Sequence, residues 1–362
     1  MRSLLVVRAA AATEPSGEFL RAERAARALS EVDVDATIVA SDAPDARGYD
    51  VAHVFGTFDP PVAAMQIAAI RSAGVPLVLS PIWLDPRAFS AIAPEIERAL
   101  GTARPERVER LLARTRAREI DLTWRSRAAR DADREAEVQR TLLLAADVVL
   151  PSSEVEAYLY GERLRATRVT YVVAPLGVDD DAFAVDRPPT RTGVLCTSSI
   201  IPRQNQAALL YALRDVDVDV TLLGRAYDER YLALCRRWAT PRTRFVDGVP
   251  HDEVLRLMAS ASVHALPSWP ASPGLSSLEA AATGARIVAG DRGCEREYFG
   301  PHVEYADPAD PASIRAAVLR ALERPPRERG DGLERRLGKR TWERHAEATL
   351  EGYARAIVIG AK

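Results

Sequence analysis

The sequence predicts an α/β chain of two Rossmann-like domains facing each other across a cleft. Three observations predict it. Short apolar runs alternate with helical segments along most of the chain. The alternation breaks once, over residues 179–192, where four Asp and two Pro stand without periodicity and read as a linker. The length, 362 residues, suits two domains of ordinary size. Strands alternating with helices imply parallel sheet and right-handed crossovers.

In the first half, residues 4–7 (Leu-Leu-Val-Val) read as a buried strand. A loop with Pro15, Ser16 and Gly17 leads to a helix over 18–29. Strands follow at 36–40, 51–55 and 77–80, the last two separated by a helix over 61–73. From 94 to 140 the pattern becomes Arg- and Glu-rich helix. Residues 98–140 hold 12 Arg against 8 Asp or Glu. The alternating signs predict a solvated helical hairpin inserted in the first domain. Its excess positive charge, with Leu122 and Trp124 nearby, also suits peripheral contact with an anionic membrane or acceptor. Strands resume at 147–150 and 169–173, and Pro175-Leu176-Gly177-Val178-Asp179 reads as a turn.

The second half carries strands from Val194 and over 218–223, 243–246, 263–266 and 286–289. Helices are expected over 206–214, 228–239, 252–261, 275–283 and 311–322, with a closing helix over 340–357. The resulting division is 1–178, 179–340 and a C-terminal helix, 341–362, packing back on the first domain. A ligand is expected in the cleft, at the carboxyl ends of the strands.

Composition excludes several classes. With 49 basic and 51 acidic side chains, the formal charge is -2, so no global field favours nucleic acid. Hydrophobic residues at 47% and charged ones at 28% exclude a disordered or collagen-like chain. Cys196, Cys235 and Cys294 lie far apart, which predicts reduced thiols rather than a disulfide framework or metal site. The five His do not cluster in sequence. No run approaches the roughly 18–20 apolar residues of a membrane span, and Arg8 interrupts the apolar start. A cytoplasmic protein is expected.

The stretch from Leu266 to Ala285 carries the most chemistry. A strand ends, a Pro- and Gly-containing loop turns, and a helix opens near Gly274 or Leu275. Unpaired amides and the positive dipole end at a helix start suit a phosphate or diphosphate, and Gly274 admits close approach. Glu279, one turn in, has the chemistry to accept hydrogen bonds from sugar hydroxyls. An ordinary strand-loop-helix with a solvated Glu fits the same pattern.

This stretch resembles the donor-binding motif of the retaining glycosyltransferases of family 4, which have the GT-B fold. Other segments agree in order. Residues 147–154 (DVVLPSSE) resemble the family's strand followed by Ser-x-x-Glu. Residues 174–179 (APLGVD) resemble its interdomain turn. Residues 201–206 (IPRQNQ) resemble the loop after the first strand of its second domain. Residues 291–298 (DRGCEREY), then Asp307-Pro308, resemble the segment after the donor motif, and Trp342 begins the closing helix.

The resemblance implies a metal-independent, cofactor-free hexosyltransferase using a nucleotide-diphosphate sugar. Its acceptor would be a glycan, a lipid-linked sugar or a small molecule, in surface polysaccharide or glycoconjugate synthesis. The diphosphate would lie on the amides of Gly274 and Leu275, with Pro273 and Ser276 also in the donor site, Glu279 on the ribose, and Gly17 facing the diphosphate and the acceptor. Arg203 and Arg225 would supply charge, and Gly248 and Val249 would meet the base. Asp85 is a candidate polar contact to a sugar, or a cap.

The chain departs from the family in both halves: residues 79–85 (LSPIWLD) lack the His often found after the fourth strand, and three positions differ in the second half. Ala271 stands where a second Glu is usual, and Ser199 and Gln204 stand where Arg and Lys are usual. These departures raise the alternative of a catalytically degenerate, sugar-nucleotide-binding or partner subunit. A nicotinamide-dependent enzyme is disfavoured, because residues 9–18 lack GxGxxG. Sugar, base and oligomeric state have no sequence signal.

Overall fold

The structure is a computed structural model that describes residues 1–13, 17–83, 85–102, 104–269 and 274–360. The chain forms two compact units. One comprises Met1–Asp85, Asp133–Gly177 and Arg340–Lys362, the other Pro86–Ala132 and Val178–Lys339.

The first unit holds five strands, β1 (Arg2–Val7), β2 (Asp35–Ala40), β3 (Val51–Phe55), β4 (Leu77–Ser80) and β5 (Val148–Val149). All pair parallel, in the order β2-β1-β3-β4-β5. The central strands are buried on both faces, as continuous apolar runs require in a covered parallel sheet. Leu4, Val6, Val54, Leu79, Ile70, Leu143 and Tyr160 form one core. The expected strand over 169–173 reduces to a single parallel bridge between Tyr171 and Val149. The closing helix, Trp342–Gly360, belongs to this unit. Its Tyr353 hydroxyl lies 3.0 Å from His53 Nδ1, while Ser80 Oγ lies 2.8 Å from His53 Nε2. Burial, and then the nearby His345, holds the His53 pKa well below its usual value, so the ring is a neutral core member.

The second unit holds β6 (Thr192–Thr197), β7 (Val220–Leu223), β8 (Thr243–Val246), β9 (Ala261–Leu266), β10 (Arg286–Gly290) and β11 (Glu304–Ala306). They form a parallel sheet in the order β11-β10-β9-β6-β7-β8. β6 and β9 are neighbours, with Val194 opposite Val263, and the chain order runs outward in both directions from them. That pair is the topological switch point, where a crevice opens at the carboxyl ends.

Two expectations are corrected. The Arg-rich insertion does not belong wholly to the first domain. Helices Arg87–Leu100, Pro105–Ala117 and Glu119–Arg125 lie in the second unit, and only residues from Asp133 onward join the first. Nor is the segment a solvated hairpin. Ile92, Ile96, Leu100, Val108 and Leu112 are buried in one cluster with Leu209, Tyr211 and Leu232. Trp238 Nε1 donates to the Leu100 carbonyl at 2.9 Å, and the Tyr211 hydroxyl donates to Glu109 at 2.6 Å. The apolar residues recur at helical spacing beneath the charges, which occupy the outer faces.

The expected linker is also ordered. It contains the helix Asp180–Ala184, and Arg187 donates to the Ala282 carbonyl at 2.6 Å and pairs with Glu334 at 2.8 Å. Among the described residues, no helix is long and apolar enough to cross a membrane.

If the insertion is core, Leu112→Ala lowers unfolding free energy by about 2–5 kcal/mol in denaturant titrations. A loss within about 0.5 kcal/mol would instead mark a solvated helix.

Candidate functional site

The site is built on the loops that leave β6 and β9. After Thr197 the chain passes Ser198 and Ser199, turns through the short helix Pro202–Gln204, and reaches Asn205 with φ 65°. Asn tolerates this left-handed conformation better than most residues. The buried Asn205 side chain donates from Nδ2 to the Pro267 carbonyl at 3.1 Å and the Pro308 carbonyl at 2.9 Å. The Trp269 amide donates to the Arg203 carbonyl at 3.0 Å. The loops after β6, β9 and β11 are thereby tied together.

Trp269 is fully buried, with Phe89 6.2 Å from it between ring centroids and the Arg292 guanidinium 5.4 Å from its ring. Arg292 in turn pairs with Glu119 at 2.6 Å and Asp307 at 2.8 Å. The Arg-rich insertion therefore buttresses the β9 loop, through Phe89 and Glu119. At the end of β10, a Cβ on Gly290 would stand 2.2 Å from the Ser268 carbonyl oxygen, so only glycine fits against that loop.

The helix Leu275–Ala282 opens at Gly274, which caps it with φ -58°, ψ 138° and no side-chain hydrogen bond. The Ser277 and Leu278 amides donate to the Gly274 carbonyl. The amides of Leu275 and Ser276 precede any carbonyl the helix can offer, so they are suited to an anion. Glu279, one turn on, is buried. His251 Nε2, at the start of the helix His251–Ser260, lies 3.5 Å from Glu279 Oε1. Asp179, His251 and Glu279 bring three possible ligand atoms within 4.8 Å of one another.

Arg225 follows β7; its carbonyl accepts from the Ile200 amide at 2.8 Å, and its guanidinium lies 5.5 Å from the Tyr227 ring. Gly248 follows β8 with φ 71°, its amide donating to Asp247 at 2.7 Å, and Val249 beside it is half-buried. Arg203, Arg225, Gly248, Val249, Gly274, Leu275, Ser276 and Glu279 thus lie within one unit, on loops after β6, β7 and β8 or on the helix after β9. Ser199 offers its carbonyl to Gln206 Nε2 at 2.8 Å. Pro273 and Ala271 lie outside the described residues.

Gly17 and Asp85 lie in the first unit. Gly17 starts the helix Gly17–Ser30, next to Glu18, whose carboxylate accepts from the Arg8 amide at 2.9 Å and Arg8 Nε at 3.1 Å. Asp85 accepts from Arg163 Nε at 2.8 Å, a pair only about one-fifth exposed on each side. The Asp85 carboxylate is thus engaged by an arginine of the same unit.

Sequence reasoning assigned no role to His251, Asn205 or Trp269. Asn205 carries a local signal, an Asn directly before an apolar helix. The other two become visible only when the loops fold.

Glu295 opens the helix that follows β10, and it is buried. Burial pushes its pKa up to about 8. The folded state then holds a proton that the unfolded chain gives up near pH 4.5. Stability therefore falls as pH rises from about 4.5 to about 8. Thermal unfolding across this window should show a shallower decline for Glu295→Gln than for the parent. Identical slopes would contradict the assignment.

Residues 191–324 match the family of glycosyl transferases group 1. A curated relative, the MMP alpha-(1->4)-mannosyltransferase of Mycolicibacterium hassiacum, is 29% identical over 198 residues, covering 51% of this chain and 48% of that protein. The match thus spans about half the relative's length. Among solved structures, sucrose-phosphate synthase from Thermosynechococcus elongatus superposes with TM-score 0.63 at 15% identity, covering 100% of this chain and 98% of that one. Anabaena HepE in complex with UDP and glucose gives TM-score 0.59 at 15% identity, covering 100% and 97%. These neighbours establish the GT-B fold. The family match is confined to residues 191–324, and the similarity to the mannosyltransferase to about half of the chain.

Proposed function

We propose that the protein is a retaining glycosyltransferase that takes its sugar from a nucleoside diphosphate sugar. The observation that carries this reading is the open start of Leu275–Ala282 at the β6/β9 switch point, with buried Glu279 one turn further, inside the segment that matches group 1.

In this reading the diphosphate lies on the Leu275 and Ser276 amides, and Gly274 keeps the approach open. Glu279, oriented by His251, accepts hydrogen bonds from the ribose. The bond between the anomeric carbon and the diphosphate breaks as negative charge builds on the leaving oxygen. Fixed amides and the helix dipole stabilise that charge without reorganising, and Arg225 or Arg203 adds to it. The acceptor hydroxyl bonds to the anomeric carbon from the same face, and its proton passes to the departing phosphate. No metal is required in this scheme. The acceptor is a glycan, lipid-linked or small-molecule hydroxyl, and a surface polysaccharide or glycoconjugate is the product class. The spaced, buried cysteines support a cytoplasmic setting.

The substitutions at Ser199 and Gln204 favour a second reading, a subunit that binds nucleotide sugar without turning it over. Calorimetry with UDP, GDP and ADP, alongside donor turnover with their sugars, separates the two. One nucleotide should bind, and Glu279→Ala should weaken it by about 10- to 100-fold, the worth of hydrogen bonds to a charged group. Binding without turnover supports the second reading, and no nucleotide binding overturns both. For the active enzyme, Arg225→Ala should lower kcat/KM by about tenfold or more.

A further inference from the structure

A second basic cluster lies at the opposite end of the donor helix. Arg187, Arg191 and Arg327 converge on the chain that leaves Leu275–Ala282. Arg187 Nη2 donates to the Ala282 carbonyl at 2.6 Å, Arg191 Nη2 to Thr283 at 3.2 Å, and Arg327 Nη1 to Ala281 at 2.7 Å and Ala285 at 3.0 Å. Arg286 joins them through Ser262, whose carbonyl accepts from Arg286 Nε at 3.2 Å while its hydroxyl donates to the Arg191 carbonyl at 2.7 Å. Arg329 stands nearby, bonded to the Phe183 and Val185 carbonyls.

Gly284 marks where two of these groups meet. A Cβ there would lie 2.8 Å from Arg191 Nη2 and 3.0 Å from Arg187 Nε, and its φ of +92° also demands glycine.

Helix capping explains only part of this. Cations favour a helix carboxyl end, but the dipole there amounts to roughly half a charge. Among the described residues, the carboxylates bonded to these five guanidinium groups are Glu334, to Arg187, and Asp331, to Arg327. The cluster therefore keeps a positive excess. It also keeps donors without acceptors: Arg187 Nε and Nη1, Arg191 Nη1 and Arg286 Nη1 are all buried and unbonded. The Arg187 side chain is only 7% exposed. Burial, then the charges of Arg187, Arg327, Arg286 and Arg329, lowers the Arg191 pKa to about 10. Buried donors left unbonded are costly. Water would satisfy the N–H groups but not the charge, whereas a multivalent oxyanion satisfies both.

We propose that Arg187, Arg191 and Arg286 form a binding site for a phosphate-type oxyanion, either free phosphate or the phosphate of a larger molecule, at the carboxyl end of the donor helix. The helix has 8 residues, so this site stands about 12 Å from the amides at its start. The ligand therefore binds alongside a donor nucleotide rather than in its place. The phosphate site itself stands without the glycosyltransferase reading; its independence of a nucleotide rests on that reading.

Isothermal titration of the full chain with inorganic phosphate and with pyrophosphate, at low ionic strength, tests it. Saturable binding is expected, weakened about tenfold or more by Arg191→Gln. Gly284→Ala, which pushes the Arg191 and Arg187 side chains aside, should do the same and serves if Arg191→Gln fails to fold. Saturating UDP or GDP should leave the phosphate affinity unchanged. Co-sedimentation with phosphatidylglycerol vesicles, lost in Arg191→Gln, would make the phosphate a lipid headgroup. Phosphate binding without co-sedimentation would make it a soluble one. The proposal is overturned if neither phosphate, pyrophosphate nor vesicles bind, if the folded variants bind as the parent does, or if the nucleotide displaces the phosphate.

Discussion

The second unit depends on one tethering contact. Asn205 sits in a left-handed turn after β6 and donates to the carbonyls of Pro267 and Pro308, in the loops after β9 and β11. A parallel sheet leaves its carboxyl-end loops unpaired, and the crevice at a switch point is useful only if the loops on either side hold still. A buried side-chain amide does this with two hydrogen bonds.

Charge in this protein is segregated, though its sum is close to zero. Some cations of the Arg-rich insertion form ion pairs, such as Arg116 with Asp310, while its apolar face joins the core of the second unit. Phe89 and Glu119 carry that support on to Trp269 and Arg292, and so to the β9 loop. Other arginines gather at the far end of the donor helix. The start of that helix instead presents the backbone amides of Leu275 and Ser276.

Most of the architecture was legible from alternation alone. The strands of both sheets lie in continuous apolar runs because helices cover both faces. Two kinds of element escaped. β11 is three residues long, with Glu304 in it, and offers no run to detect. The helices from Arg87 to Arg125 hid their buried stripe beneath charge, so surface polarity was mistaken for solvation of the whole segment. The glycine, the helix start and the carboxylate at Gly274 to Glu279 could be read together because they lie close in sequence. His251, Asn205 and Trp269 were not, because their partners stand 28, 62 and 66 positions away. The arginine cluster was likewise invisible, since five residues spread between 187 and 329 meet only through the fold.

The most direct measurement is a crystal structure of the protein soaked with the nucleoside diphosphate that binds it most tightly. The diphosphate should accept hydrogen bonds from the Leu275 and Ser276 amides, with the ribose hydroxyls on Glu279 and the β6, β9 and β11 loops unmoved around Asn205. A nucleotide seated elsewhere, or one that binds only after those loops separate, would contradict the account.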